Sequence, residues 1–145
     1  MLDTILAFVA SRDLGVLATT DGGAPHCSLM AYVMLPDGHI CMATLPDTRK
    51  WRNILENPGV SLLVDNRELL PGLGREALTA VTVTGRHDPF SDSGEEAAAK
   101  RLLAERHGQL GGILTRPGAR VIRIRPTAYQ IVEGPVRSRV VPATP

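Results

Sequence analysis

Short runs rich in Val, Leu and Thr recur along this chain at uneven intervals, and each is closed by a turn signal. Residues 14–20 end at Asp21-Gly22-Gly23, and 24–35 and 39–44 flank Pro36-Asp37-Gly38. Residues 60–65 form an apolar run of the kind buried on both faces, and 78–86 alternate Thr and Val. Such runs are strands, and the Asp-Gly pairs are hairpin turns. Helical patterns break in at 2–12, at 48–56, and over a segment that opens with Ser93 and Glu96 as a capping box and closes at His107-Gly108. With 120–125 and 128–132 added, about six antiparallel strands of uneven length predict a mainly β fold, a closed or half-closed barrel with peripheral helices. Strands and helices do not alternate as they must in a parallel sheet, and neither glycine fingerprint of the dinucleotide or P-loop folds is present.

A chain of 145 residues can bury a sizeable core and fits a single domain over 1–145, with 134–145 as a flexible tail or a segment lying against a partner. One Trp, two Tyr and two Phe leave the core to aliphatic side chains and disfavour a stacking platform for single-stranded nucleic acid. The formal net charge of +1, with cations dispersed among acids, argues against a broad nucleic-acid surface as well. No apolar run approaches membrane-spanning length, and the opening residues read as an amphipathic helix without a basic leader. A cytoplasmic protein with no membrane partner is expected. Cys27 and Cys41 form no metal-like grouping with histidine. A turn at Asp37-Gly38 pairs residues whose numbers sum to about 75, which sets Ala31 opposite Thr44 and leaves the two cysteines out of step. Both are expected as buried free thiols.

The richest chemistry lies in 44–58. Thr48, Arg49 and Lys50 follow Pro46-Asp47, and Asp47 is placed to cap a helix over 48–56. The first N–H groups of a helix have no intrahelical acceptor, and its positive dipole end favours an anion. A hydroxyl, a guanidinium and an ammonium at that end suit a phosphate ester. The alternative for the same residues is a solvated basic helix start. Cations there oppose the dipole, however, and something negative nearby would offset them.

An apolar strand ending in Ala43-Thr44, then Thr48-Arg49-Lys50, Asn57-Pro58 with Val60, and a later strand ending in Thr84-Gly85-Arg86 stand in a fixed order. That ordered set resembles the FMN-binding split-barrel proteins related to pyridoxamine 5′-phosphate oxidase, over residues 2–133. The resemblance implies a split β-barrel in which Thr48, Arg49 and Lys50 hold the FMN phosphate and Ala43 and Thr44 lie beside the flavin. Ser28, Leu29, Met30 and Ala31 would line the isoalloxazine largely through backbone groups. It also implies a homodimer with flavins between subunits, the strand near Val81–Arg86 and the Arg67 loop reaching the partner's cofactor. Trp51 is expected to pack on the barrel. Two departures count against pyridoxamine phosphate as substrate. The oxidase carries an Arg and a Lys on its second strand where this chain has Ser28 and Val33, and its C-terminal Arg-x-His element has no counterpart in the stretch 133–139.

No nucleophile–base–acid set stands out, which suits chemistry carried by a cofactor. His26 is the histidine of most interest, two residues before the strand expected to meet the flavin, although ordinary hydrogen bonds at a strand end would account for it. The reading is an FMN-dependent oxidoreductase passing hydride or electrons to a small substrate. The alternatives are a deazaflavin-dependent reductase in the same fold and a non-catalytic flavin-binding protein acting as carrier, store or sensor.

Overall fold

In the computed structural model, which describes residues 1–72 and 74–144, the first hairpin forms where apolar alternation meets an Asp-Gly-Gly turn. Strands β1 (Leu14–Thr20) and β2 (Pro25–Ala31) pair antiparallel along their whole length. The Asp21 carboxylate closes the turn by accepting the N–H groups of Gly23 at 2.9 Å and Ala24 at 2.7 Å, while Gly22 takes φ = 101°. This corrects the expected pairing of 24–35 with 39–44. That second hairpin is confined to β3 (Val33–Met34) against the first residues of β4 (Ile40–Thr44), with Val33 opposite Cys41 and Met34 opposite Ile40. Ala31 therefore faces Leu14, and Thr44 faces Arg120. The divergence begins at Tyr32, which is tied to the first helix side: its N–H donates to Asp13 O at 3.2 Å, and its hydroxyl donates to Val9 O. Once β2 has satisfied a seven-residue ladder with β1, it has no reason to follow β4.

Strands β5 (Gly59–Asp65), β6 (Thr79–His87), β7 (Arg120–Glu133) and β8 (Arg137–Pro142) complete the sheet. Its order is β2-β1-β5-β6-β7-β4-β3, with β8 on the far half of β7. The two ends of that order, β2 and β3, are joined in the chain through Tyr32 alone, so the sheet is curled on itself as a half-barrel. Among the described residues eight strands replace the expected six. The 120–125 and 128–132 runs are one strand, kinked where the register with β6 shifts at Thr84/Gly85. Residues 137–142, read from sequence as tail, pair with β7 instead. Buried and exposed positions alternate along β5, contrary to the expectation of a strand buried on both faces.

Helix α1 (Leu2–Ser11) closes one end of the barrel with Ile5 and Val9, and α2 (Arg49–Glu56) plugs another part with Trp51 and Ile54. Leu17, Met42, Leu62, Val81 and Ile122 fill the space between. A second core lies outside the barrel, where Ala99 and Leu103 of α3 (Ser93–Arg106) cover Val33, Cys41, Ala43 and Val121. The N-cap of α3 is Asp92, whose carboxylate accepts Gly94 N–H at 2.7 Å, so the expected Ser93–Glu96 box does not form. Glu96 turns to the sheet, accepting Arg120 Nε and Val121 N–H, both at 2.9 Å. Burial pushes the Cys41 thiol up to about 12, as expected for a buried thiol, whereas Cys27 is exposed on the outer side of β2. No helix among the described residues is long and apolar enough to cross a membrane.

Candidate functional site

The barrel is split at one place. Strand β2 pairs only with β1, and β3 covers only Ile40 and Cys41 of β4. The outer edge of β2 and the edge of Met42–Thr44 therefore present backbone donors and acceptors without a strand partner, and the two edges lie close together. Four residues separate that edge from α2, so the split opens directly beside the helix N-terminus.

Thr48, not Asp47, caps α2: its Oγ1 accepts Trp51 N–H at 3.4 Å and donates to Leu45 O at 2.9 Å. Having spent its hydrogen there, it accepts that of Thr44 at 3.0 Å. The cap moved one residue because Thr48 has the extended backbone of a cap, φ −86° and ψ 152°. Arg49 and Lys50 are thereby the first two helical residues, and their N–H groups have no intrahelical acceptor.

The two cations point differently. On a helical projection Lys50 falls between the buried residues Trp51, Asn53 and Ile54, so its stem follows the inward face. Burial lowers its pKa, and no nearby carboxylate opposes that shift. Among the described residues neither Lys50 nor Arg49 forms an ion pair. Arg49 is exposed on the flank toward the β1–β2 turn, where its charge adds a small part to the lowering of the Asp21 pKa, chiefly caused by the Ala24 and Gly23 N–H groups.

Helix α2 is fixed on both sides. Asn53 Nδ2 donates to Thr19 Oγ1 of β1 at 3.1 Å, a buried bond. Trp51 lies beneath the Arg120 guanidinium at 5.0 Å and meets the His87 ring edge to face. Trp51 thus packs on the barrel as its sequence position predicted, but the Asn53, His87, Arg120 and Glu96 supports were not read from the sequence. Their signal was faint: a buried Asn inside an eight-residue helix is the one cue that could have been noticed.

Of the residues expected at the site, Thr44, Thr48, Arg49 and Lys50 come together at the mouth of the split. Ser28 and Met30 point to the inner side of β2, Leu29 points outward, and Ala31 belongs to the β1 ladder, not the β4 register predicted for it. The Ala43 side chain faces away, into the core under α3, leaving only its backbone on the edge. The cluster offers two free N–H groups and two cations, with no carboxylate bonded to them, while the Thr44 and Thr48 hydroxyls are spent on each other and on the helix start. His26, expected to make ordinary hydrogen bonds at a strand end, lies within β2 and makes no side-chain hydrogen bond to another described residue.

A curled antiparallel sheet split beside a helix with a basic first turn defines the split-barrel class. The chain belongs to the pyridoxamine 5′-phosphate oxidase family, whose model matches residues 1–133. Among solved structures, a haem-binding protein from Mycobacterium smegmatis superposes with a TM-score of 0.82 at 20% identity, over 98% of this chain and 57% of that longer one. General stress protein 26 from Bacillus anthracis gives 0.72 at 20% identity, over 97% of each chain. An FAD-binding protein from Mesorhizobium loti gives 0.70 at 21% identity, over 90% of this chain and 91% of that one. At these identities the likeness is one of fold. Comparison with curated protein sequences gives no match.

Proposed function

We propose that the chain is an FMN-binding oxidoreductase that works as a homodimer and passes hydride or electrons to a small substrate. The observation that carries this reading is Lys50, a partly buried ammonium with no carboxylate to balance it, beside two free helix N–H groups. A desolvated charge without a partner is costly, and a phosphate monoester would supply the missing negative charge. Bound there, the flavin supplies the redox chemistry. Arg49 and Lys50 hold its phosphate at the helix start that the Thr48 cap fixes, and the unpaired edges of β2 and Met42–Thr44 offer backbone groups to its ring. The oxidase's own substrate is not favoured. Ser28 is uncharged, and Val33, at the second place where the oxidase has a cation, is buried beneath α3.

The outer face of β1, β2, β5 and β6 supports the dimer. Cross-strand neighbours there are Val16, Leu29, Leu63 and Thr82, flanked by Ala18, Cys27 and Ser61, and no helix covers them. Leu29 is 68% exposed and Leu63 38%. A row of exposed apolar side chains with charges only at its rim is the pattern expected of an interface. A cavity of about 190 Å³ on it, lined by Leu14, Val16, Leu29, Leu63, Asp65 and Arg67, would meet the partner's cofactor.

The test is the visible spectrum of the purified protein before and after incubation with FMN and dialysis. Retained flavin bands near one per subunit support the reading, and turnover of the reduced flavin by candidate acceptors then separates an enzyme from a carrier. Retention of FAD, a deazaflavin or haem in its place would overturn FMN as the cofactor.

A further inference from the structure

We infer that His26 is a third ligand of the bound phosphate, acting with Arg49 and Lys50; the inference rests on the phosphate reading above. In the β1–β2 ladder His26 is the direct partner of Thr19, and directly opposed residues of an antiparallel pair project from the same face. Thr19 faces α2, because its Oγ1 receives the Asn53 amide at 3.1 Å. His26 therefore leaves the sheet toward α2 as well, one strand further out, about 4.8 Å away.

The direction of the helix decides which part of α2 it meets. The C-terminal end of α2 leads into β5, which flanks β1 on the side opposite β2. From Asn53, under β1, the N-terminal end thus runs outward under β2. The helix from Asn53 back to Lys50 spans about 4.5 Å, close to the spacing between β1 and β2. Four residues separate the N-terminal end from Thr44, whose strand edge lies close to β2, while Oδ1 of the C-cap residue Asn57 sits 3.8 Å from the Cβ position of Gly22.

A phosphate monoester brings nearly two negative charges and three acceptor oxygens. Arg49, Lys50 and two N–H groups leave acceptor capacity for a further donor on the side of β2. The half-buried His26 ring, without a side-chain hydrogen bond among the described residues, has a donor to give. It is a positioning residue for the cofactor, since it touches the phosphate end and not the reacting ring.

The experiment follows the imidazole resonances of the wild-type protein during titration with FMN, riboflavin and inorganic phosphate. With four histidines in the chain, a His26→Gln spectrum assigns the signal. FMN and inorganic phosphate should shift the His26 resonance, and riboflavin should not. His26→Gln should weaken FMN about tenfold with riboflavin unchanged, and His26→Arg should restore it. A His26 resonance indifferent to FMN, in a protein that still prefers FMN to riboflavin, overturns the inference and leaves the phosphate site standing. Equal binding of FMN and riboflavin by the wild type would instead remove the phosphate reading itself. The titration itself uses wild-type protein, and cross-strand contacts from Thr19 to the His26 ring protons assign the resonance if the variant does not fold.

Discussion

The indole of Trp51 meets the imidazole of His87 edge to face, with ring centroids 5.7 Å apart and planes at 72°. His87 is 8% exposed, and its Nε2 has no hydrogen-bond partner among the described residues. The helix that carries Arg49 and Lys50 thus leans on a buried, uncharged histidine. Burial pushes the His87 pKa down; Asp88 and Glu96 oppose the shift, and Arg120 and Arg123 add to it. The native state keeps the ring neutral at a pH where the unfolded chain has begun to take up a proton, near 6.5. Between the depressed native value and 6.5 the unfolded state binds more protons, so stability falls as pH falls through that window. Denaturant melts above and below it should show a loss in the wild type that His87→Phe lacks. Trp51 is the sole tryptophan, so its fluorescence reads the same protonation directly. A quench on acidification that persists unchanged in His87→Phe would refute the contact as its cause.

Replacing Arg49 and Lys50 together with Ala should weaken FMN by at least about a hundredfold, because each charge-assisted bond to phosphate is worth roughly 1.5–3 kcal/mol. Riboflavin, which has no phosphate, should lose only a few-fold. Equilibrium titration of both ligands into both proteins decides the matter. Parallel losses would place the cations away from the phosphate.

The sequence made some of these relationships legible and hid others for identifiable reasons. Local signals survived: the Asp21 turn, the Thr/Val alternation of β6 and the basic first turn of α2 all stand as their residues suggest. Pairings were harder, because Asp37-Gly38 fixes only where a hairpin turns, and Tyr32's bonds toward α1 decide how far it extends. The cap of α2 slid from Asp47 to Thr48 because both are good capping residues, and the choice was made by Thr44 and Leu45, which partner the Thr48 hydroxyl. Glu96 had the spacing of a capping box, but the Arg120 guanidinium outcompeted a backbone N–H for it.

That Glu96 contact joins α3 to β7. Its burial works against ionisation, but the Arg120 and Val121 bonds outweigh this and hold the carboxyl below its usual value of 4.5. The stabilisation is present above that value and is lost as pH falls through the depressed native one. Glu96→Ala leaves Arg120 Nε and Val121 N–H without their acceptor and should cost about 2–3 kcal/mol at neutral pH. A melt of Glu96→Ala should also be flatter against acid than the wild type's, since the titrating group is gone.

Gly85 sits where β6 and β7 change register, and a Cβ there would lie 2.7 Å from Ile124 Cγ2 and 2.8 Å from Arg125 O. One of those neighbours is backbone, so the strand pair itself must shift. Gly85→Ala should cost about 1–3 kcal/mol. Gly59, with nothing within 4 Å of its Cβ position, is the control and should tolerate Ala within about 0.5 kcal/mol. Equal thermal midpoints for the two variants would mean the kink is not held by this close approach.

The outer sheet face gives the last prediction. Val16 of β1 lies between Leu29 of β2 and Leu63 of β5, so the three side chains form one row across the middle of the face. If that row packs against its copy in a second subunit, a carboxylate at its centre must be desolvated against an identical charge, which no rearrangement within the interface can pair. Leu29→Glu should therefore halve the mass measured by light scattering at low micromolar concentration. Leu102→Glu, on the exposed side of α3 and 42% exposed in the wild type, should leave the mass unchanged. In the proposed dimer the partner would close the cavity beside Leu29, so the flavin should follow the mass: a monomeric Leu29→Glu protein should lose affinity for FMN even with Arg49 and Lys50 intact. A monomer that binds FMN as well as the wild type would confine the cofactor to one subunit and detach the outer face from the site.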